Sequence, residues 1–540
     1  MKEKNLRFFN TTGPCNPEEH YMLSPEERLV GEQLSRYIKR KLYWVLHAPQ
    51  QTGKTTFLHA WMREINTGGE FVACYVTVER CRGISDPKDA IPAICNAIKS
   101  AARACDLPEP ETINDHLSAL SYTLEDWSKK IAPKPLIVLF DDVDVLVGEA
   151  LISFLCQLRG GFASRGIGKF PTSIALVGMR DLKDYITESK DAVLQDGSLR
   201  PYTVIGRNEA ISFTGVKCSP FNIKEDSARL VNFSENDISR LFAQRTKETG
   251  QQITPEALKY VFEQSGGHPW IVNSLFKRAI LRILKEGSTE TVTIEHVREA
   301  REQMVMTRET HLDALAYLLD DDRVRRVIES IMIGKTDTTL AKGEPFRLCL
   351  DLGLVTIVNG TPTISNPIYS EVLAREITYA VQLAIPAPEW CWQKDDGSLD
   401  IEVLMREFQK FWHRHSKAWE EQSGYTEVFP HLVFMAFLQR VINDGGYIDR
   451  EFAAGSGRLD LSLYFKNLWY IIEIKIICEH DSTAAIREEG LTQIARYRDR
   501  IDPSAQSYLV IFDRRKKSQT LPWEQKIKWE TAADITILWQ

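Results

Sequence analysis

The chain has no run of about 18 apolar residues, the length a helix needs to cross a bilayer, so no membrane partner is expected. It has no paired-cysteine signal: ten cysteines lie scattered without a Cys-x-x-Cys spacing or accompanying histidines. That pattern fits reduced thiols better than a disulfide frame or a zinc site. The opening stretch, MKEKNLRFFNTTG, has neither an apolar core nor a cleavage-type pattern, so no secretory leader is expected and the expected location is cytoplasmic. Excess positive charge is also missing. A net charge of −7 argues against a chain that coats nucleic acid indiscriminately, while leaving room for a local basic groove. What is present is ordinary globular material. Apolar residues make up 43% and charged residues 26% of 540, enough for three or four domains.

YWVLHAPQQTGKTTFLHAWMREI reads as strand, loop and helix: Tyr43–Leu46 the strand, Ala48–Thr55 the loop, and a helix with apolar spacing from Thr56. The loop fits Gly-x-x-x-x-Gly-Lys-Ser/Thr except at its first position, where Ala48 stands. Gly53 lets phosphate oxygens approach the backbone, and successive amides with the helix N-terminus cradle the anion. Lys54 would reach the β- and γ-phosphates of ATP, Thr55 would bind Mg²⁺, and Thr56 completes the candidate nucleotide-binding set. Further on, KPLIVLFDDVDVL is an apolar run ending in acids, as a buried parallel strand requires. Asp141 sits at its C-terminal end, placed to hold Mg²⁺ through water. Asp142 is the candidate polariser of the attacking water, and Asp144 reads as a loop or cap residue. A third apolar run, TSIALVGMRD, ends at Arg180, which either senses the γ-phosphate or pairs with Asp181 or Asp184.

These motifs resemble the AAA-like ATPases of the STAND group. After the core, LVNFSENDISRLFAQRTKETG and PEALKYVFEQSGGHPWIVNSLFKRAI read as amphipathic helices. GGHPW between two of them is similar to the group's Gly-x-Pro element. The resemblance implies that in Gly267, His268 and Pro269 the proline packs near the adenine; a plain helix break is the bland alternative. His20 or Tyr21, ahead of the first strand, would line the base pocket or merely pack a loop. FRLCLDLGLVTIVNGTPTISNPIYSEVLAREI reads as helix, hairpin with an Asn-Gly turn, and helix. It resembles a winged helix, a DNA contact or, preferred here, a rigid joint relaying the nucleotide state. PAPEWCWQKDDG is a linker.

Near the C-terminus, GSGRLDLSLYFKNLWYIIEIK has a glycine turn, an Asp, a hairpin break and an apolar strand carrying Glu473 and Lys475. A period of two puts those charges on one face and Ile472, Ile474 and Ile476 on the other. With Asp460 on the neighbouring strand, one Asp, one Glu and one Lys form a cluster at the sheet surface. This arrangement, the GxGRxD turn (Gly455, Gly457, Arg458, Asp460) and the spacing of Gln493 and Tyr497 in LTQIARYRDR resemble the PD-(D/E)XK nucleases from about residue 425 onward. The resemblance implies that Asp460, Glu473 and the Ile474 carbonyl hold Mg²⁺ or Mn²⁺, that Lys475 orients the attacking water or offsets charge at the scissile phosphate, and that Gln493 and Tyr497 approach the site or the DNA backbone. The preceding helix FMAFLQRV offers no third acid, so Glu427 or Glu451 would have to serve. Arg514, Arg515, Lys516 and Lys517 would grip phosphates or form a solvated loop.

The expected fold is thus multidomain α/β: a P-loop ATPase core with a parallel sheet over 1–225, a helical lid over 226–305, a winged-helix-like joint over 306–384 and an α/β PD-(D/E)XK nuclease-like domain over 385–540. The expected function is ATP-gated, metal-dependent cleavage of nucleic acid, DNA before RNA, in defence against phage or mobile DNA. Two other readings are open: a nucleotide-dependent switch or scaffold that binds nucleic acid without cutting, and an ATP-dependent repair or recombination enzyme. Nothing resembling helicase motifs follows the Asp141 strand, which ranks the latter lower. A homo-oligomer and a protein or nucleic-acid trigger are also left open.

Overall fold

The computed structural model describes residues 6–24, 28–29, 34–165, 168–179, 224–285, 287–307, 310–332, 343–384, 394, 396, 398–422, 433–434, 437–438, 446–452, 459–465, 468–477, 479, 481–500, 502–513, 515–519, 521–532 and 534–540. The chain forms two compact units: Met1–Gln303 with Asp351–Gly353, and Met304–Leu350 with Leu354–Gln540.

In the first unit, β1 (Tyr43–His47), β2 (Val72–Thr77), β3 (Leu136–Asp141), β4 (Ser173–Gly178) and β5 (Lys224–Arg229) form one sheet in the order β2-β3-β4-β1-β5. Every neighbouring pair is parallel. Alternate strand residues serve opposite faces. On one face Tyr43, Val45, Val138, Phe140 and Ile174 pack under α3 (Pro87–Ala104), α4 (Ala119–Ile131) and α5 (Gly148–Ser164). On the other, Trp44, Leu46, Ile137, Leu139 and Val177 pack against α1 (Leu34–Lys39) and α2 (Lys54–Gly68). Both faces are covered, which is why these strands read as unbroken apolar runs. Helix α2 begins at Lys54, two residues earlier than its apolar spacing suggests, because Gly53 at φ 89° ends the loop in a left-handed conformation. Then come α6 (Glu235–Thr249), α7 (Pro255–Ser265) and α8 (Pro269–Arg278). A Ser234–Asp237 capping box starts α6, and a Thr254 cap followed by Pro255 starts α7.

The second unit opens with α9 (Thr310–Leu318), α10 (Asp322–Met332) and α11 (Glu344–Asp351), then the antiparallel hairpin of β6 (Val355–Val358) and β7 (Thr361–Ile364), then α12 (Pro367–Ala384). Asn359 (φ 50°) and Gly360 (φ 82°) form the turn, the primed geometry that Asn-Gly favours. His311 on α9 and the Tyr369 hydroxyl on α12 share a buried hydrogen bond of 2.6 Å. Burial pushes the His311 pKa down to about 4. An unfolded histidine titrates near ~6.5, so the unfolded chain binds more protons between the two values. The stability tied to His311 is therefore complete at neutral pH and falls as pH drops from about 6.5 to about 4, by up to about 3 kcal/mol. Denaturant titrations at pH 7 and 4.5 should show a shallower loss for His311→Gln than for the wild type.

A six-stranded sheet follows, with β8 (Gly446–Phe452), β9 (Leu459–Phe465), β10 (Leu468–Ile477), β11 (Gln506–Asp513), β12 (Lys528–Ala532) and β13 (Ile535–Trp539) in the order β12-β13-β11-β10-β9-β8. The β8-β9-β10 part is antiparallel, and β10, β11 and β13 are parallel. Helix α13 (Ile401–Gln422) brings Phe408 and Trp412 against Phe512 on one face. Helix α14 (Thr483–Arg500) places Ile494 and Tyr497 against Ile471, Ile477, Leu509 and Ile511 on the other. The expected multidomain α/β class is the one observed.

Candidate functional site

Two constellations stand out, one in each unit. In the first, the strand order puts the ends of β1 and β3 on the same edge with β4 between them. There the Thr55 hydroxyl donates to Asp141 Oδ2 at 2.7 Å. The Tyr75 hydroxyl donates to the same oxygen at 3.1 Å, and the Asp142 amide donates to Asp141 Oδ1 at 3.0 Å. Asp142, in the left-handed region at φ 61°, accepts from the Thr77 hydroxyl at 2.8 Å. Lys54 Nζ curls back to donate to the carbonyls of Ala48 and Pro49, each at 2.9 Å. Burial holds the Asp141, Asp142 and Asp144 carboxyls above the usual carboxylate range, and lowers the Lys54 pKa against the pull of those three acids. Thr56 accepts from the Cys15 amide at 3.0 Å, pinning the N-terminal segment beside the loop.

A cavity of about 300 Å³ opens between these elements, lined by Lys54, Thr55 and Asp142 and by Tyr21, Pro269 and Trp270. Tyr21 thus reaches the cavity, whereas His20 packs edge-on against Phe8 and accepts from the Asn16 amide. The Gly-His-Pro element is tied to the loop: His268 Nε2 lies 3.2 Å from the Gln50 carbonyl oxygen. Gly267 has φ +71°, and a Cβ there would stand 1.9 Å from the Phe233 carbonyl oxygen. That neighbour is backbone and cannot swing aside. Gly267→Ala is therefore expected to cost about 3 kcal/mol or more in the first unit, measured by denaturant titration, and to weaken nucleotide binding by shifting α8.

The sequence reading passed over Arg28. It is buried, donates to the Val231 carbonyl at 2.7 Å from Nη2, lies over the Phe233 ring and lines the same cavity. No spacing marks it; only its buried position does. Arg180 lies outside the described residues, as do Glu427, Gly455, Gly457, Arg458 and Arg514.

In the second unit, Glu473 and Lys475 share a face of β10 with Ile471 and Ile477. The charges are not at an exposed sheet surface, which corrects the sequence expectation. Glu473 is 1% and Lys475 4% exposed, because α14 covers that face. Lys475 Nζ lies 2.6 Å from Glu473 Oε1 and donates to Gln493 Oε1 on α14. The ion pair lacks hydrogen-bond alignment, and neither Glu473 oxygen has a hydrogen-bond partner among the described residues. Tyr497, one turn beyond Gln493, is buried in the apolar cluster. Asp460 stands opposite Glu473 in the β9–β10 register, and Glu451 stands opposite Asp460 in the β8–β9 register. Three acid-bearing positions therefore occupy one row across three strands. Among the described residues no group of three or more His, Cys, Asp or Glu side chains is assembled as a metal site. Arg515 pairs with Asp513 and the Ser518 hydroxyl donates to the same carboxylate, so this cation is engaged within its own loop.

A phosphate-type loop feeding a helix, with a buried acid on a parallel strand two places away, defines a P-loop fold in the first unit. Residues 425–512 match the family model of the PD-(D/E)XK nuclease superfamily, so the chain joins that fold to a C-terminal nuclease domain. No curated protein matches the sequence. Among solved structures, the chain is similar to a Walker-type ATPase of Pyrococcus abyssi, at 12% identity and a TM-score of 0.44 over 68% of this chain and 99% of that one. It is similar to the RuvB Holliday junction branch migration motor of Thermotoga maritima, at 13% identity and a TM-score of 0.33 over 64% and 95%. It is also similar to the Aeropyrum pernix ORC1 protein in complex with DNA, at 15% identity and a TM-score of 0.31 over 63% and 88%. No helix among the described residues is long and apolar enough to cross a membrane.

Proposed function

We propose that the protein is an ATP-gated nuclease that hydrolyses phosphodiester bonds, in DNA before RNA, with Mg²⁺ or Mn²⁺, and that it acts in defence against phage or mobile DNA. The observation that carries the reading is Glu473: a buried carboxylate that is ion-paired to the buried Lys475 yet accepts no hydrogen bond among the described residues, inside the segment matching the nuclease superfamily. One ammonium without an aligned hydrogen bond leaves much of the cost of burying the carboxylate uncovered, and hard oxygen donors suit a divalent ion. Glu473, Asp460 and the Ile474 carbonyl would hold that ion, with Glu451 as the third acid. The bound ion supplies Lewis acidity and a water of lowered pKa. Gln493 accepts from Lys475 and so fixes where the ammonium points, toward the scissile phosphate or the attacking water.

In the first unit, Gly53, Lys54, Thr55 and Thr56 bind the phosphates of ATP, Thr55 and Asp141 hold Mg²⁺, Asp142 orients water and Pro269 flanks the base. Arg180 contacts the γ-phosphate. The domains run 1–225, 226–305, 306–384 and 385–540, and ATP sets the angle between core and lid. The test is cleavage of supercoiled plasmid, linear duplex, single-stranded DNA and RNA with Mg²⁺, Mn²⁺ or EDTA, each with and without ATP. Metal-dependent cleavage that changes with ATP supports the reading. No cleavage under any condition, with metal shown not to bind, sinks it in favour of a nucleotide switch that binds nucleic acid without cutting.

A further inference from the structure

Asn273 is 7% exposed and lines the cavity beside the phosphate loop. It lies on α8, one turn after Pro269. Its Nδ2 donates to the Asn10 carbonyl at 3.0 Å, and the neighbouring Trp270 Nε1 donates to the Thr11 carbonyl at 2.9 Å. The N-terminal segment is thereby clamped to α8. The Asn10 side chain is itself fixed, accepting from the Thr12 amide at 3.0 Å. The clamp sets the Asn273 amide: the NH₂ must face the Asn10 carbonyl, so the other end presents oxygen. That oxygen is buried and has no hydrogen-bond partner among the described residues. An orphaned buried acceptor is costly, and a ligand donor relieves the cost.

We propose that Asn273 Oδ1 selects the base, accepting a hydrogen bond from the exocyclic amine of adenine. The inference rests on the nucleotide-binding reading of the cavity and extends it to base identity. A phosphate offers no donor to this oxygen. Guanine presents a carbonyl where adenine presents its amine, and two acceptors repel. Adenine gains a bond that guanine replaces with an unpaired contact, so discrimination is built into one amide whose orientation the N-terminal segment controls.

The experiment is equilibrium binding to the full chain of ATP, GTP and purine ribonucleoside triphosphate, which has hydrogen in place of the amine. It compares wild type, Asn273→Ala and Lys54→Ala. Wild type is expected to bind ATP about tenfold tighter than the analogue lacking the amine, and to disfavour GTP at least as strongly. In Asn273→Ala, ATP and the amine-free analogue are expected to bind alike, a coupling that a merely structural asparagine would not produce. Equal binding of ATP and the amine-free analogue by wild type overturns the proposal without needing any variant to fold. So does an undiminished preference in Asn273→Ala. Both outcomes leave the nucleotide site standing if Lys54→Ala still weakens all three ligands. Failure of wild type to bind any triphosphate overturns the nucleotide reading itself.

Discussion

Lys475→Met is expected to lower cleavage at least about a thousandfold, and to destabilise the second unit by about 3–5 kcal/mol. The two effects have different causes. Glu473 is 1% exposed, and its nearest compensating charge is the Lys475 ammonium at 2.6 Å. Removing the lysine strands a carboxylate in an apolar cluster of isoleucines and leucines, where it has no hydrogen bond to fall back on. Loss of activity in this variant alone would therefore be ambiguous. The double variant Glu473→Gln/Lys475→Met resolves it. Both charges are gone, the side chains keep their volume, and most of the lost stability should return, since replacing a buried pair by similar neutral groups is often nearly neutral. Cleavage should stay absent. Metal supplies a third readout. In Lys475→Met the carboxylate no longer has an ammonium competing for it, so Mn²⁺ should raise the melting temperature of this variant more than that of wild type. A double variant that still cleaves, or a single variant that metal does not stabilise, would remove Glu473 and Lys475 from the reaction.

The two sites were legible in the sequence to different degrees, for physical reasons. The phosphate loop is local. Strand, loop and helix are contiguous, so Lys54 and Thr55 declare themselves by spacing, and Asp141 by its place at the end of an apolar strand. The Glu473/Lys475 alternation was equally local, and period two put both residues on one face. What spacing could not supply was the cover. That face is buried because Ile494 and Tyr497 of α14, the next element along the chain, fold back onto it, a packing event that residue spacing within the strand does not reveal. The same limit explains Arg28 and Asn273. Neither carries a motif; each matters because Asn10 meets Asn273 on α8 and Arg28 meets Val231, joining positions more than 200 residues apart. The row of Glu451, Asp460 and Glu473 lies between these cases. The hairpin put Asp460 opposite Glu473, but only the β8–β9 register brings Glu451 into line.

Lys54→Ala is the corresponding variant in the first unit, with an expected loss of ATP affinity of about a hundredfold, the scale of two charge-assisted hydrogen bonds. The Lys54 side chain is half-buried and its ammonium is held by two loop carbonyls at 2.9 Å, a pose that a phosphate would compete for directly. It also counters three acids, Asp141, Asp142 and Asp144, whose pKa values burial already raises. The sign of the pH effect follows. A carboxyl with a folded pKa above its unfolded value stabilises the fold fully below the unfolded pKa, and that stability is lost as pH rises through the folded pKa. Without Lys54 the three acids lose their cation, their pKa values rise further, and the loss deepens. The variant should therefore fall behind wild type in stability at neutral pH and approach it in mild acid. In the cleavage assay the same change should leave metal-dependent hydrolysis at a level that no longer responds to ATP. If Lys54→Ala still cleaves with full ATP dependence, the loop is not the gate, and ATP acts through another site.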